Sequence, residues 1–501
     1  MKHLPEQGYE LDAIVLEHTA TWAAFTGGAK GILLCDLHSW LPVSLDTLAS
    51  DMGQSRLPFR YESADIEKLR TRALEDVTLT AFALTHMLEF LQAEGVGKMR
   101  PTGSGQSHAA WRRKFLPEKT LLVHDRPAAL AHERTAMWAG RAESWRHGEV
   151  NGPLYEHDLN LAYCRIAAAT PVPVRLKTQL PWVNKKTGCK EIEGLVSLAH
   201  VTVKTDQPLV PYGEDERIYW PVGEFTTDLW QPELDLLRDE GADVYIHYGW
   251  AYETAPVLAP MAEWLIERLE ASADQVSPVV KRLLKHWART LVGRCALRYR
   301  QWEPFGTQPK MELGIWTMIE GEPFNMKEML SVGHRIMELA EMAESDNSVP
   351  QVTGFIMSQA RADLWRLMQV AGTDNLVYVD TDSLLVNAKG HAKLRGVAEE
   401  SSHTVLTHKA TWAKAEVTGP RNLVLESDRK IAGVPRRAVR IGDHVFEGEV
   451  WAGIKTSLSG RQLDNVAVQK RLFEVTALDQ RRRHLPDGTT RPIEVQDETT
   501  D

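Results

Sequence analysis

The chain has 501 residues, 43% of them hydrophobic and 25% charged, so it is too long for one hydrophobic core and has an ordinary globular composition. No run approaches the roughly 20 continuous apolar residues of a membrane-spanning helix, and the first residues lack the layout of a signal peptide. The four cysteines lie far apart, which argues against a zinc ribbon or a disulfide framework. We therefore expect several packed units in a cytoplasmic protein with no membrane segment.

The charge is unevenly distributed along the chain. The formal net charge of −10 disfavours nonspecific attraction to nucleic acid on average. Residues 281–300 nevertheless contain seven basic side chains and no acidic one, and smaller basic clusters lie at 111–114, 429–440 and 481–483. Each cluster alone is as typical of a solvated helix face. Together, in an acidic chain, they favour a groove for a polyanion.

The first hundred residues have the pattern of α/β structure. The apolar run 31–35 predicts a strand, and apolar positions spaced by three and four predict a helix over 69–91. Residues 95–105 are rich in glycine and predict a linker. The basic, aromatic segment 111–115 follows, and we expect a second unit to begin there.

Two later segments place carboxylates beside predicted strands. Residues 154–169 change from a strand pattern to a helix pattern near Asp158. Residues 376–387 predict a β-hairpin with Asp380 and Asp382 at its tip. Between these segments, the patterns of residues 263–273 and 278–300 predict two helices, the second opening on a proline.

The aspartates are candidate ligands for divalent metal ions. Nucleotidyl transfer with two metal ions needs hard oxygen ligands that converge from separate segments, and adjacent strands would bring Asp158 and Asp382 together. Asp380 is a third carboxylate nearby. A lone D-x-D is more often a solvated turn. Here the flanking residues are apolar, so paired carboxylates would be costly without a cation to neutralise them.

The helix predicted over 278–300 is a candidate phosphate-binding element. Lys281, Lys285 and Arg289 are spaced by four residues and share one helix face, which Val292 and Gly293 extend. Such a face can hold a triphosphate and stabilise charge on a leaving pyrophosphate. An exposed helix without a ligand is the alternative.

Three segments resemble the motifs of family B DNA polymerases and occur in the family's order. DLNLAYC at 158–164 is similar to motif A, KHWARTLVG at 285–293 to motif B, and YVDTDS at 378–383 to motif C. The form of motif A is most similar to that of protein-primed phage and plasmid enzymes, and residues 487–492 resemble the tail of mobile-element polymerases. The resemblance extends over about residues 31–493.

Weaker similarities accompany these three motifs. RTAMWAGRAE at 134–143 resembles the tyrosine-glycine segment that contacts template, and MSQAR at 357–361 resembles a template-binding motif. PRNL at 420–423 is similar to a degraded K-x-Y primer-terminus motif. The residues that these similarities assign to DNA contact are Gly140, Arg141, Arg361 and Arg421.

The resemblance implies a role for each site residue. Asp158 and Asp382 would hold two Mg2+ ions, for which Mn2+ could substitute, and Leu159 would add a backbone carbonyl. Tyr163 would stack under the sugar and exclude ribonucleotides, although a core tyrosine is an equal alternative. The triphosphate would be held by Lys285 and Arg289.

The motifs also depart from the family pattern. Arg289 and Val292 replace the asparagine and tyrosine of motif B, so base selection would differ. At the N-terminus, Asp76 stands where the third exonuclease motif has its aspartate, but Arg72 replaces that motif's tyrosine. The other exonuclease motifs are missing, so we expect no exonuclease activity from this chain.

The expected fold is α+β, with palm, fingers and thumb, a ferredoxin-like antiparallel palm sheet, and a partial RNase H-like exonuclease domain in front. The expected divisions are a degenerate exonuclease-like region at 1–100, a linker and template-contacting segment at 101–145, a first palm segment at 146–254, fingers at 255–300, a candidate insertion at 301–348, a second palm segment at 349–400, thumb at 401–493 and a disordered acidic tail at 494–501.

The expected function is DNA-directed DNA synthesis in replication of a phage or mobile element. The expected partners are primed DNA and dNTPs, with a terminal protein primer or a separate exonuclease subunit as further candidates. Two alternatives stay open: a catalytically silent, polymerase-like DNA-binding protein, and a metal-dependent glycosyltransferase that uses the D-x-D motif.

Overall fold

The computed structural model describes residues 3–17, 20–54, 56, 65–117, 120, 123–214, 217–272, 275–321, 325–345, 347–396, 405–426, 428–451, 453–459, 468–475 and 480–496. The chain forms two compact units. The first unit comprises Met1–Leu116, Trp264–Ser348 and Val450–Gln469, and the second comprises Pro117–Glu263, Val349–Glu449 and Lys470–Asp501.

The described α-helices are α1 (Leu45–Asp51), α2 (Ile66–Ala93), α3 (Gly103–Ala110), α4 (Pro127–Thr135), α5 (Ala162–Ala169), α6 (Gln231–Asp239), α7 (Ala259–Glu270), α8 (Pro278–Cys295), α9 (Pro350–Ala371), α10 (Ala388–Leu394) and α11 (Ile454–Ser459). A π-helical turn, Trp111–Phe115, follows α3 directly. Within the described ranges, no helix is both long and apolar enough to cross a membrane.

The described strands are β1 (Glu10–Glu17), β2 (Ala20–Gly27), β3 (Lys30–Cys35), β4 (Ala142–Ser144), β5 (Gly148–Leu159), β6 (Val172–Gln179), β7 (Trp182–Asn184), β8 (Gly188–Cys189), β9 (Val196–Thr205), β10 (Tyr212–Glu214), β11 (Arg217–Tyr219), β12 (Val222–Trp230), β13 (Asp243–Ala255), β14 (Arg298–Tyr299), β15 (Trp302–Glu320), β16 (Asn325–Leu339), β17 (Ala343–Glu344), β18 (Leu376–Asp380), β19 (Ser383–Val386), β20 (Leu406–Gly419), β21 (Asn422–Leu425), β22 (Arg429–Ile431), β23 (Val439–Gly442), β24 (Val445–Trp451), β25 (Val468–Glu474), β26 (Arg482–His484), β27 (Thr490–Pro492) and β28 (Glu494–Gln496).

The first unit joins the N-terminal strands to a long hairpin. Strands β1, β2 and β3 form an antiparallel sheet, and β15 pairs with β16. Phe25 of β2 and Leu330 of β16 belong to one buried cluster, so these two segments share a core. The predicted exonuclease-like region and the predicted insertion are therefore not separate folding units in the structure.

Helix α8 of the first unit begins where the sequence predicts. Ser277 caps its N-terminus by accepting a hydrogen bond from the Val280 backbone nitrogen, and Pro278 occupies the first turn. Leu284, Trp287 and the other apolar positions of one face are buried. The opposite face is left for polar side chains.

The second unit contains the palm sheet. Its seven strands lie in the order β22-β21-β20-β5-β19-β18-β4, and each neighbouring pair is antiparallel. Alternate side chains enter different cores, because successive residues of a strand point to opposite faces. Val379 packs in the cluster that includes Trp365 of α9, whereas its neighbour Tyr378 packs in the cluster that includes Leu154.

A second seven-stranded sheet belongs to the same unit. Its strand order is β28-β12-β9-β13-β8-β7, and β6 also pairs with β13. Strand β28 pairs in parallel with β12, with Val222 opposite Glu494. The prediction of a disordered tail over 494–501 is therefore wrong for 494–496, and 497–501 lie outside the described residues.

Three other predicted boundaries also change. The linker predicted over 95–105 ends early, because α3 begins at Gly103, where an added Cβ would lie 3.1 Å from the Trp40 backbone. The basic segment predicted to open the second unit belongs to the first, which extends to Leu116. Strands β20 to β22 continue the palm sheet, so the palm extends beyond residue 400, where the thumb was expected to begin.

Candidate active site

The palm sheet brings the two predicted metal ligands together. Strand β5 pairs with β19 so that Asp158 lies opposite Ser383, the residue after Asp382. The Leu159 nitrogen donates a hydrogen bond to the Asp382 carbonyl at 2.8 Å. Two carboxylates from distant regions of the chain therefore meet at one end of adjacent strands.

The turn between β18 and β19 has an unusual backbone. Thr381 adopts a φ of 59°, in the left-handed region that β-branched residues rarely occupy. The Asp382 nitrogen donates to the Asp380 carbonyl at 2.7 Å, and the Thr381 nitrogen donates to the Arg141 carbonyl at 2.6 Å. The turn is thus held both by its own strands and by the segment before β4.

Crowding of negative charge makes this end of the sheet suitable for cations. Burial, together with the charges of Asp158 and Asp380, raises the pKa of Asp382 to about 6. Both carboxylate oxygens of Asp380 accept hydrogen bonds, from the Tyr378 hydroxyl at 3.3 Å and the Thr381 hydroxyl at 3.0 Å. Asp380 therefore contributes charge while its oxygens are already partnered.

The donor set fits a magnesium site built on two carboxylates. In the portion of the chain that the structure describes, no three His, Cys, Asp or Glu side chains are grouped so as to hold a metal ion. The hard oxygens of Asp158 and Asp382 are instead the side-chain ligands on offer, and Leu159 lies beside them with its backbone carbonyl. Mg2+ typically takes one or two carboxylates and completes its shell with water and substrate phosphate.

Tyr163 lies in α5, directly after the turn that follows β5. Leu161 starts this helix from a left-handed conformation, with a φ of 55°. Burial and the negative charge of Asp382 raise the pKa of Tyr163 to about 12, so its hydroxyl stays protonated at neutral pH. The structure thus places Tyr163 in the electrostatic environment of Asp382.

Two predicted DNA-contacting arginines are buried instead. Arg361 has 3% of its surface exposed and pairs through two nitrogens with Glu233, at 2.7 and 2.9 Å. Arg141 is fully buried, and its guanidinium lies over the rings of Trp220 and Trp365, at 5.0 and 4.8 Å from their centroids. The prediction that these side chains contact DNA is therefore wrong, because neither guanidinium is accessible.

Arg361 holds the segment that supports the turn between β18 and β19, which is called the aspartate turn below. Its Nη1 donates to the Trp138 carbonyl at 2.7 Å. Three residues later, the Arg141 carbonyl accepts the hydrogen bond from Thr381. We did not expect Glu233 in this role. Its signal in the sequence is weak, because a glutamate in the first turn of a helix usually has a simpler explanation.

Gly140 is needed for close approach at the same place. A Cβ on Gly140 would lie 2.9 Å from Cγ2 and 3.0 Å from Oγ1 of Thr381. The sequence assigned Gly140 to DNA contact, and the structure adds a packing reason for glycine at this position.

Arg421 differs from the other predicted DNA-contacting arginines because its side chain is exposed. It lies in the turn between β20 and β21 with a φ of 59°. Its backbone nitrogen donates to the Tyr378 hydroxyl at 2.6 Å, which links this turn to the motif C strand. The guanidinium remains on the surface of the second unit.

The helix face of α8 that was predicted to bind triphosphate is exposed only in part. Lys285 and Arg289 are exposed and lie one helical turn apart. Lys281 donates a hydrogen bond to the Ala271 carbonyl, and Val292 is 3% exposed and belongs to the buried face. The prediction was wrong for Val292, whereas Gly293 lies on the exposed side with Lys285 and Arg289.

Many of the other clustered basic residues form internal ion pairs, which the sequence did not indicate. The pairs, with their nitrogen-to-oxygen distances, are Lys114 with Glu94 at 3.0 Å, Lys430 with Glu156 at 2.6 Å, Arg440 with Glu416 at 2.8 Å and Arg482 with Glu143 at 2.6 Å. Arg482 is also buried. These clusters therefore present less free positive charge than their sequences suggested.

Asp76 of the exonuclease-like region is paired with arginines. Arg56 donates to its Oδ1, and Nε of Arg72 lies 3.8 Å from the same oxygen. A carboxylate neutralised in this way is a poor ligand for a second cation.

The fold is similar to that of Phi29 DNA polymerase, a protein-primed family B DNA polymerase, in its ternary complex with primer-template DNA and incoming nucleotides. That comparison has a TM-score of 0.68 and 14% identity, and it covers 95% of this chain and 88% of that one. The binary complex of Phi29 DNA polymerase with primer-template DNA gives a TM-score of 0.68 and 13% identity, and it likewise covers 95% of this chain and 88% of that one.

The complex of Phi29 DNA polymerase with single-stranded DNA gives a TM-score of 0.60 and 14% identity, over 92% of this chain and 77% of that one. No family model and no curated protein matches the sequence. The fold predicted from the motifs, α+β with an antiparallel palm sheet, is confirmed.

Proposed function

We propose that this chain is a DNA-directed DNA polymerase that transfers dNMP to a primer 3′ hydroxyl with the help of two divalent ions. The observation that carries the proposal is the pairing of β5 with β19, which sets Asp158 beside Asp382 within the fold of a DNA polymerase. Asp158 and Asp382 would hold the ions, Mg2+ or Mn2+, and the Leu159 carbonyl would complete the protein ligands.

The chemistry that such ions supply is activation of the 3′ hydroxyl and neutralisation of charge on the departing pyrophosphate. The residues of this chain prepare the site for it. The carboxylates are desolvated and repel one another, and both effects raise the pKa of Asp382. A bound cation would relieve this repulsion, so the site favours cation binding. The Arg141 carbonyl holds the turn at Thr381, which keeps Asp382 in place.

Other residues have roles in binding the substrates. Tyr163, protonated and close to the charge of Asp382, would contact the sugar of the incoming nucleotide and exclude ribonucleotides. Lys285 and Arg289, exposed on α8, are the residues to which the resemblance to motif B assigns the binding of triphosphate. Arg421 would contact the DNA backbone, since its guanidinium is exposed.

The biological setting belongs to the proposal as well. The resemblance to protein-primed enzymes favours replication of a phage or mobile element, with a terminal protein as a candidate primer. Phi29 DNA polymerase has been captured with primer-template DNA and with single-stranded DNA, and the same two ligands are proposed here. We propose no exonuclease activity, because Asp76 is neutralised by two arginines.

The test is primer extension on a primed DNA template with Mg2+ and dNTPs. We expect extension by the wild type and at least about a thousandfold loss in Asp382→Ala, because a metal ligand acts on the transition state. Asp243→Ala is the matched control, since Asp243 is exposed at the start of β13.

The binding of primed DNA should be measured beside extension. Retained binding by Asp382→Ala would assign the loss to chemistry. If the wild type binds primed DNA without extending it, the proposal is wrong, and the chain is a polymerase-like DNA-binding protein. Equal activity in wild type and Asp382→Ala would instead remove Asp382 from the metal site.

A further inference from the structure

One edge of the second sheet carries an unusual combination of side chains. Strands β6 and β8 both lie beside β13, on the side away from β9, and the hairpin of β7 and β8 ends the sheet. Residues 171–190, which form this edge, contain five basic side chains and no acidic one. In a chain with a net charge of −10, this is a local excess of positive charge.

The basic side chains of the edge differ in how freely they are presented. Arg175 and Lys177 on β6 share Glu253 of β13, at 3.5 and 2.9 Å. Lys185 and Lys186, at the tip of the hairpin, are exposed, and neither forms an ion pair with a described residue. The hairpin tip, together with the exposed Lys190 directly after β8, therefore carries the uncompensated charge.

The turn that presents these lysines is well defined. Oδ1 of Asn184 accepts hydrogen bonds from the backbone nitrogens of Lys186 and Thr187, at 2.8 and 2.9 Å. Gly188 closes the turn with a φ of 67°, and a Cβ there would lie 2.1 Å from the Ile246 carbonyl oxygen. The turn is thus fixed internally and attached to β13.

Apolar exposure at the same tip calls for a second explanation. Trp182 is 58% exposed and Val183 is 49% exposed. Lysines on an edge strand commonly prevent pairing with other sheets. An exposed tryptophan works against that purpose, because it adds apolar surface to the edge. Tryptophan beside free lysines is instead the combination that binds single-stranded nucleic acid, with a base stacked on the ring and phosphates held by the cations.

We infer that the β7–β8 hairpin is a contact site for single-stranded DNA, with Trp182 stacking on a base and Lys185 and Lys186 contacting phosphates. The inference rests on the proposed function for the identity of the nucleic acid. It adds to that function a surface of the second unit that none of the polymerase motifs includes. A protein partner for this tip is the alternative that the experiment must exclude.

The experiment is fluorescence anisotropy of the full-length chain with a labelled oligo(dT) of about 20 nucleotides, longer than one single-strand site, without metal or dNTPs. We expect Trp182→Ala to weaken binding about tenfold and Trp182→Phe to restore most of it, because an aromatic ring still stacks. Lys185→Ala with Lys186→Ala should lower the slope of log K against log salt by about 1.4, which corresponds to two phosphate contacts on a single strand.

The matched control is the pair Lys389→Ala and Lys393→Ala, which removes two exposed lysines on α10 of the same unit, away from this edge. Wild-type affinity in both hairpin variants, or an equal change in the control pair, would overturn the inference and leave the tip to a protein partner. If Trp182→Ala lowers the melting temperature, the lysine variant alone decides.

Primer extension on a short primed template keeps the two proposals apart. We expect the hairpin variants to extend such a template at the wild-type rate, since their substitutions lie outside the carboxylate site. Wild-type protein that extends primers but does not bind oligo(dT) would refute the hairpin site and leave the polymerase proposal intact.

Discussion

At the scale of single residues, the aspartate turn depends on space as much as on charge. Thr381 is held in a left-handed conformation that costs about 1–3 kcal/mol and persists only because its surroundings enforce it. Its methyl and hydroxyl occupy the volume that a Cβ of Gly140 would need. A glycine and a threonine distant in sequence therefore determine together where Asp382 lies.

Gly140→Ala should disturb this turn. We expect primer extension to fall by about tenfold or more, because a misplacement of about 1 Å at a reacting centre can cost about a hundredfold, while primed DNA stays bound. Gly306→Ala is the control, since an added Cβ there meets nothing within 4 Å. Unchanged extension by Gly140→Ala would show that the turn tolerates displacement.

His108 gives a second test at this scale. Burial and the positive charges of Arg294 and Arg112 lower its pKa from 6.5 to about 4, and neither ring nitrogen has a hydrogen-bond partner among the described residues. The unfolded chain therefore binds a proton that the folded chain does not, so stability falls as the pH falls from about 6.5 to about 4.

His108→Leu should remove this contribution. Between about pH 6.5 and pH 4, we expect the unfolding free energy of the variant to fall by up to about 2–3 kcal/mol less than that of the wild type. The measurement is denaturant unfolding at several pH values. The same acid-induced loss in both proteins would show that the pKa of His108 is the same in the folded and unfolded chains.

At the scale of elements, α6 and α9 support the aspartate turn through a buried ion pair. Arg361 of α9 pairs with Glu233 of α6 and also donates to the Trp138 carbonyl. An ion pair of this kind is often no more stabilising than apolar residues of the same volume. Arg361 also donates to the Trp138 carbonyl, and apolar residues could not make this hydrogen bond to the segment that supports the turn.

A double substitution should separate these two contributions. Arg361→Met alone leaves Glu233 buried without a partner, and we expect it to lower the unfolding free energy by about 3–5 kcal/mol. The pair Glu233→Met with Arg361→Met should recover most of that stability. Primer extension should stay slow in both, with kcat more affected than KM.

The comparison of stability and kcat decides the role of Arg361. Full recovery of extension in the double variant would mean that Arg361 only stabilises the unit. A loss of kcat that persists at wild-type stability would identify it as a positioning residue.

At the scale of the whole molecule, the boundaries between units do not follow the order of the chain. The N-terminal strands share a buried cluster with the hairpin of β15 and β16, although almost three hundred residues separate them in the sequence. Phe25, Ile315 and Leu330 each have at most 7% of their surface exposed within this cluster. The N-terminal region therefore belongs to the core of the first unit.

Removal of residues 1–36 should consequently damage the hairpin. We expect the truncated chain to lose amide protection over 302–320 and 325–339 in hydrogen exchange and to have a lower soluble yield, because buried apolar side chains become exposed. Protection over 349–396, in the second unit, serves as the internal control. A fully protected hairpin in the truncated chain would mean that it folds independently of the N-terminal strands.

The elements that carry the proposed metal-binding carboxylates could be predicted from the sequence alone. The change of period at Asp158, the hairpin around Asp382 and the start of α8 are local patterns, and local patterns are set by neighbouring residues. The order of the three motifs was also sufficient for the fold. Lys285, Arg289 and Arg421 were predicted as ligand-binding residues from the same motifs. Their side chains are exposed, as that role requires, and the role stays a prediction.

Which charges are available to a ligand and which are used internally became clear only from the tertiary structure. Arg141, Arg361 and Arg482 look like DNA-binding arginines in the sequence, yet each is buried beside a glutamate or an aromatic ring from another element. The free lysines at 185 and 186 form only a short pair in the sequence and became notable through their position on a sheet edge. The physical reason is that an ion pair depends on distances of about 3–4 Å between residues whose separation along the chain is unrelated to those distances.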